Sequence, residues 1–282
     1  MRNIDAAAHV RGESVYLDDI PLLQGTLFAC VFDAPVAHGI IESLDLSAAR
    51  ATEGVVRIIL AEDLRGENQI GGIIADEPLL ADGHVHFQGM PVALVVAETE
   101  VAARTAAHKI TAKIAPLEII TDPRIAHQKN ELIIPPKRFS MGDTGKAFGS
   151  CKWVFTGRAD VNGQEHLYLE TQGAYTVPSE GGGIRVYSST QGPTAVQRAV
   201  GRVTGLPMHL VEVETGRLGG GFGGKEDQAN TWAALCAVAT QLTGRPVKYS
   251  LHRMEDLRMT GKRHPYSADY TIGLGEDLRQ VL

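Results

Sequence analysis

The chain has 282 residues, 44% of them hydrophobic, which is enough apolar material for one large core or two ordinary ones. A net charge of -6, from 27 Lys and Arg against 33 Asp and Glu, gives no overall attraction for nucleic acid, and the local group Arg253, Arg258, Lys262 and Arg263 reads as solvated surface. Cys30, Cys151 and Cys236 are too few and too scattered for a disulfide framework or an iron-sulfur ligand set; no stretch suits a bilayer span or a secretory core, so no membrane partner and a cytoplasmic location are expected.

In chain order, Thr26 to Phe32 reads as a strand, and Asp45 or Ser47 can cap a short Ala-rich turn. Pro91 to Ala97 reads as a buried strand, Thr99 caps a helix reaching Lys109, and Ile110 to Ile114 returns as strand. Together residues 1–122 form a small α+β unit. From 123 to 150 the pattern dissolves into Pro123, Pro135, Pro136, Gly142, Gly145 and Gly149, the punctuation of an inter-domain connection. A second domain then runs over 151–282. Within it, Lys152 to Asn162 and Glu165 to Val177 read as long strands joined by an Asn162-Gly163 turn, and Gly181-Gly182-Gly183 makes the next turn.

Ile184 to Ser188 is strand-like, and Gly192-Pro193 opens a helix with Val196, Ala199, Val200 and Val203 on one face and Gly205 at its end. The alternation in Leu210 to Thr215 gives another strand. Trp232, Leu235, Cys236, Ala239 and Leu242 recur at helical spacing up to Gly244, and Tyr266 to Gly273 is again strand-like.

Between the Leu210 strand and the Trp232 helix lies Gly219-Gly220-Gly221-Phe222-Gly223-Gly224-Lys225-Glu226, a loop of bare backbone around one aromatic ring. Unpaired amides near a helix start suit an anion or a flat ligand, and glycine lets either come close. The spacing Gly219, four residues, Gly224, Lys225 comes within one residue of the nucleotide-binding P-loop. Glu226 stands where that motif needs a Ser or Thr hydroxyl for magnesium, which disfavours nucleotide hydrolysis and leaves a non-catalytic phosphate-binding module as the alternative. Gln191, one residue before Gly192-Pro193, would sit at the same sheet edge as this loop; by itself it reads as an ordinary helix-start polar residue. Gln164, His166, Tyr168 and Glu170 share one face of the expected strand. His166 with Glu170 is a weak metal pair, and His38, His84, His86, His252 and His264 show no catalytic constellation.

The run Arg217 to Glu226 resembles the GGGFGGKE loop of the xanthine dehydrogenase and xanthine oxidase branch of the molybdenum hydroxylases. Gly12 to Ile20, Gly163 to Thr171, Ser189-Thr190-Gln191, Gly244 to Val247 and Gly261 to Pro265 agree in the same order, so the similarity covers nearly the whole chain. The resemblance implies an α/β hammerhead domain followed by the first part of a molybdopterin-binding α+β domain. It implies a molybdenum-molybdopterin cofactor near Gln191, Gly220, Gly221, Phe222 and Gly223, with Gln191 and Phe222 facing the metal centre.

Glu226 is implied to orient and activate a purine substrate, because a carboxyl group suits an N–H-rich heterocycle better than an aldehyde; oxidation of an aldehyde or another N-heterocycle is the alternative within the family. Its bland role is to complement the helix dipole, at about 0.3–1 kcal/mol. Electrons would leave through iron-sulfur and FAD groups on partner subunits, in an oligomeric assembly. Family members continue past the point matching Leu282 with further cofactor contacts and a proposed general base, so this piece alone is expected neither to retain molybdenum nor to turn over.

Overall fold

The computed structural model describes residues 6–277. It divides into two compact units, each discontinuous in sequence: residues up to Glu118 with Glu165–Gly261, and Ile119–Gln164 with the residues from Lys262. The elements up to residue 118 are α1 (Ala6–Arg11), β1 (Leu27–Asp33), β2 (Gly39–Asp45), α2 (Ser47–Arg50), β3 (Val55–Ile59), β4 (His84–Val85), β5 (Pro91–Ala97), α3 (Glu100–Ala107) and β6 (Thr111–Pro116). Then come α4 (Pro123–Lys129), α5 (Thr144–Gly149), β7 (Trp153–Val161), β8 (Gly173–Pro178), β9 (Ile184–Ser188) and α6 (Pro193–Thr204). The last are β10 (Val211–Glu214), α7 (Ala229–Thr243), β11 (Val247–Ser250), α8 (Arg253–Met259) and β12 (Tyr266–Leu274).

The first unit is built on a seven-stranded sheet in the order β10-β9-β8-β11-β1-β5-β3. β5 is buried along its whole length, as a continuous Val and Ala run between two neighbours requires. β1 pairs antiparallel with β5 and parallel with β11, through Leu27↔Val247, so the early strands and the later ones share one sheet. α7 packs against β8, β9, β11 and α6 and is buried on nearly every side, which its apolar composition demands. Trp232 on that helix meets the Tyr249 ring edge-on at 5.9 Å; burying each such side chain contributes about 1.5–3 kcal/mol.

Local chemistry sets the helix ends. Thr99 Oγ1 accepts from the Ala102 amide at 3.1 Å to start α3. Pro193 occupies the first turn of α6, and Gly205 (φ 71°) and Gly244 (φ 67°) close α6 and α7 in the left-handed conformation. A second, three-stranded antiparallel sheet in the order β4-β2-β6 completes the unit.

In the other unit β7 and β12 form an antiparallel ribbon, from Tyr266↔Val161 to Leu274↔Trp153. Arg124 of α4 donates to Asp160 on β7 at 2.8 Å and to Asp269 on β12 at 3.1 Å, and its hydrogen bond holds the Asp160 pKa down at about 2. The stretch 123–150 contains two short helices, α4 and α5, capped by Asp122 and Asp143.

Two expectations are corrected. Asn162-Gly163 is not a hairpin turn, because the partner of β7 is β12, about a hundred residues later. Glu165 to Val177 is not one strand: regular pairing begins only at Gly173, and Leu167 has φ 49°. The intervening backbone is satisfied by other groups. Arg253 Nη2 donates to the carbonyls of Tyr168 and Leu169 at 2.6 and 2.7 Å, and the Glu170 amide donates to the Gly219 carbonyl at 3.1 Å.

Candidate functional site

β9 and β10 are parallel neighbours, so the loops after both leave the same end of the sheet. Ser189-Thr190-Gln191 follows β9 and the glycine loop follows β10. The two loops are bonded together: the Gln191 amide donates to the Lys225 carbonyl at 2.7 Å, and Thr190 Oγ1 donates to the same oxygen at 3.1 Å. Gln191 Oε1 in turn accepts from the amides of Gly223 at 3.0 Å and Lys225 at 3.3 Å. Its Nε2 group has no protein acceptor among the described residues, which leaves a neutral donor at the surface.

The loop crest is open. Phe222, 76% exposed, holds φ 53°, a conformation that costs a bulky residue about 1–3 kcal/mol and is kept where surroundings enforce it. Gly220 (φ 97°) and Gly223 (φ 86°) flank it in backbone that only glycine adopts freely. A Cβ on Gly221 would lie 2.4 Å from Gln191 Oε1, so the close approach of the two loops depends on its absence. The amides of Gly221 and Phe222 meet no protein acceptor among the described residues. Glu226 is exposed, and its carboxylate has no protein partner among them either.

Beneath the crest the loop is anchored at both ends. Glu170 Oε2 accepts from the Gly219 amide at 2.8 Å and from Ser189 Oγ at 2.6 Å. At the other end Gln172 Nε2 donates to the Gly224 carbonyl at 2.9 Å and to Tyr168 Oη at 3.1 Å. Tyr168 Oη donates to Asp256 Oδ1 at 3.0 Å, and Asp256 Oδ2 accepts the Gln172 amide at 2.7 Å. Burial, reinforced by Asp256, pushes the Tyr168 phenol well above its ordinary pKa, so it stays a donor.

Lys225 overturns the phosphate-module alternative. Its side chain is fully buried, and Nζ donates to Ser189 Oγ at 2.6 Å and to the carbonyls of Glu170 at 2.7 Å and Thr171 at 3.4 Å, with Glu170 Oε2 at 3.3 Å. The ammonium also lies 4.5 Å from the centre of the Tyr168 ring. Every donor is engaged inward, so none is free for a phosphate. Burial pulls the Lys225 pKa below its ordinary value, while Glu170 opposes that shift.

The structure thus brings exposed Gln191, Phe222 and Gly223 together over buried Gly221, with Gly220 beside the Phe222 ring and Glu226 at the loop's end. His166 is no metal ligand paired with Glu170: its ring stacks on Tyr168 at 6.2 Å, while Glu170 is committed to the loop and Lys225. The supporting residues Glu170, Gln172, Lys225, Arg253 and Asp256 escaped assignment from sequence. Nothing in the local sequence marks their supporting role: Gln172 lies between Thr171 and Gly173, and Asp256 follows Glu255.

A glycine-rich crest on a rigid α+β frame, with amides and one neutral donor left free, defines a cofactor-binding domain. A model of the molybdopterin cofactor-binding domain matches residues 125–280, and one of the aldehyde oxidase and xanthine dehydrogenase a/b hammerhead domain matches residues 11–118. The chain belongs to the aldehyde oxidase and xanthine dehydrogenase family of molybdenum hydroxylases. Xanthine dehydrogenase 2 of Arabidopsis thaliana is 39% identical over 275 residues, which are 96% of this chain and 20% of that protein. Aldehyde oxidase 2 of Rattus norvegicus is 36% identical over 273 residues, with the same two shares. The aldehyde oxidoreductase from Desulfovibrio gigas superposes with a TM-score of 0.89 at 27% identity, over 97% of this chain and 32% of that one. The chain therefore spans about a fifth of the length of the curated relatives it matches.

Proposed function

We propose that this chain forms the near wall of a molybdenum-molybdopterin site in a purine-oxidising hydroxylase. The observation that carries the reading is the pairing of a free Gln191 Nε2 donor with the unpaired amides of Gly221 and Phe222 on a crest where added Cβ atoms would intrude. Those groups fit an oxygen-rich, anionic cofactor: neutral donors answer its acceptors without cancelling its charge, and glycine permits contact with the main chain. Gln191 and the backbone of Gly220, Gly221 and Gly223 would hold it, with the Phe222 ring as a lid toward the metal centre and the substrate. When bound, the cofactor supplies oxidation and oxygen transfer to an electron-poor carbon.

Glu226 is the substrate-orienting residue in this reading. Its carboxylate is spent on no protein partner and suits the N–H edge of a purine. Aldehyde oxidation is the second reading, supported by the aldehyde oxidases among the relatives. Three isolated cysteines, two of them buried, supply no iron-sulfur ligand set within this stretch, and iron-sulfur and FAD groups on partner subunits of an oligomer are part of the proposal. No helix among the described residues is long and apolar enough to cross a membrane, and a cytoplasmic site of action is part of the proposal.

The test is Glu226→Gln in the full-length protein, comparing kcat/KM for hypoxanthine and for an aromatic aldehyde. The purine value is expected to fall at least about tenfold while the aldehyde value stays within about twofold. Equal losses, or turnover of the aldehyde alone by the unaltered protein, would move the assignment to aldehydes.

A further inference from the structure

We propose that His38, His84 and His86 bind one divalent transition-metal ion of the zinc class on the three-stranded sheet, apart from the glycine loop. The antiparallel register Gly39↔Val85 and Ile40↔His84 sets position 38 across from position 86 and keeps His84 two residues along on the same face. The rings are in contact: centroids lie 5.1 Å apart for His38 and His84, and 4.2 Å apart for His84 and His86. Three imidazoles gathered this way would repel one another once protonated, and a metal is the natural counterpart of such a group.

The atoms agree with that purpose. His38 Nδ1 lies 2.7 Å from the Glu118 carbonyl, which only accepts, so Nδ1 carries the proton and Nε2 presents its lone pair. A second ring nitrogen donating to a backbone carbonyl is the usual outer contact of a metal-binding histidine. His38 Nε2 and His84 Nε2 are 3.0 Å apart. Two nitrogens held about 2.0–2.1 Å from a tetrahedral zinc would be separated by about 3.3 Å, so a small outward shift admits the ion. Without metal, His84 Nε2 donates that bond; with metal, the ion takes the proton's place and His84 carries its proton on Nδ1.

Among the described residues no group of three or more His, Cys, Asp or Glu side chains is arranged to hold a metal ion as it stands, so the site requires a side-chain rearrangement. His86 completes the set by rotating its exposed ring, and water fills the fourth position. Neutral nitrogen donors select zinc, copper or nickel over magnesium or calcium. The ion would clip β4, only two residues long, to the start of β2 and to Glu118 just beyond β6.

The experiment titrates the metal-free full chain with Zn²⁺ alone against a chromophoric chelator, with circular dichroism confirming that each variant is folded. One ion per chain is expected, with affinity falling at least about tenfold in His38→Gln and in His84→Gln and unchanged in His108→Gln and His252→Gln. In the unaltered chain, zinc should shift the imidazole NMR signals of His38, His84 and His86 and no other histidine, a readout that needs no variant. The proposal is overturned if zinc binds the His38→Gln, His84→Gln double variant as tightly as the unaltered chain, or if the three signals do not move. Neither result depends on molybdenum, so the outcome is independent of the function proposed above.

Discussion

Gln191 and Lys225 are bonded twice in opposite senses: the Gln191 amide donates to the Lys225 carbonyl at 2.7 Å, and the Lys225 amide donates to Gln191 Oε1 at 3.3 Å. The exchange fixes which half of the Gln191 carboxamide serves the protein and which half is left over. Gln191→Glu keeps the oxygen that the loop needs and replaces the donor by a second, anionic oxygen, whereas Gln191→Ala removes both groups. In the full-length protein Gln191→Glu is expected to leave folding stability within about 0.5 kcal/mol and to cut turnover about a hundredfold or more. Gln191→Ala should also cost about 1–3 kcal/mol, because two amides lose their acceptor. Denaturant melts and molybdenum content check both, and unaltered turnover in Gln191→Glu would remove Gln191 from the site.

Lys225 with Glu170 is a buried ion pair whose removal leaves charges and carbonyls stranded. Lys225→Met should destabilise the chain by about 3–5 kcal/mol in urea. Adding Glu170→Leu should recover part of that loss, since the orphaned carboxylate goes too; a double-mutant cycle that is strictly additive would show the pair to be uncoupled.

The buried and the exposed glycines that flank Phe222 should respond differently to one methyl group. Gly221→Ala drives a Cβ to 2.4 Å from Gln191 Oε1, so the carboxamide must leave its bonds, at about 1–3 kcal/mol. Gly223→Ala meets no atom within 4 Å and faces only its φ of 86°, a strain of about 1–2 kcal/mol. Cofactor content of the full-length protein should fall in both; retention of wild-type content by Gly223→Ala would place the cofactor elsewhere.

Alkaline pH should destabilise the fold through its buried thiols. Burial, aided by the Glu255 carboxylate, pushes Cys30 up from 9.0 to about 12, and burial raises Cys236 too. The folded chain therefore holds these protons after the unfolded chain has released them. Stability is expected to fall as pH rises from 9 toward 12, with a shallower slope in Cys30→Ala. A melting midpoint in urea that is flat over this range would contradict the assignment.

Much of the first unit was legible because its signals are local. Pro193 and Gly205 bracket α6, Thr99 starts α3, and the apolar run of β5 has no other good reading. The meeting of Gln191 with the glycine loop followed from two strand-to-helix loops leaving one sheet end. What failed was non-local. The polar-apolar alternation of Glu165 to Thr171 imitates a strand, but Arg253, more than eighty residues away, takes its carbonyls instead, and Asp256 takes the amide of Gln172 just beyond it. Lys225 looked like a phosphate ligand because spacing reports neighbours along the chain and says nothing of the Glu170 and Ser189 groups that surround it.

The parallel pairing of β1 with β11 has a temporal consequence. Leu27 leaves the ribosome 220 residues before Val247, its register partner. At roughly 5–20 residues per second that is a wait of about 10–45 s with one edge of an apolar strand unpaired. Nascent chains that stop before about position 250 of this sequence should therefore recruit chaperones, and those that extend beyond it should release them as the central sheet closes.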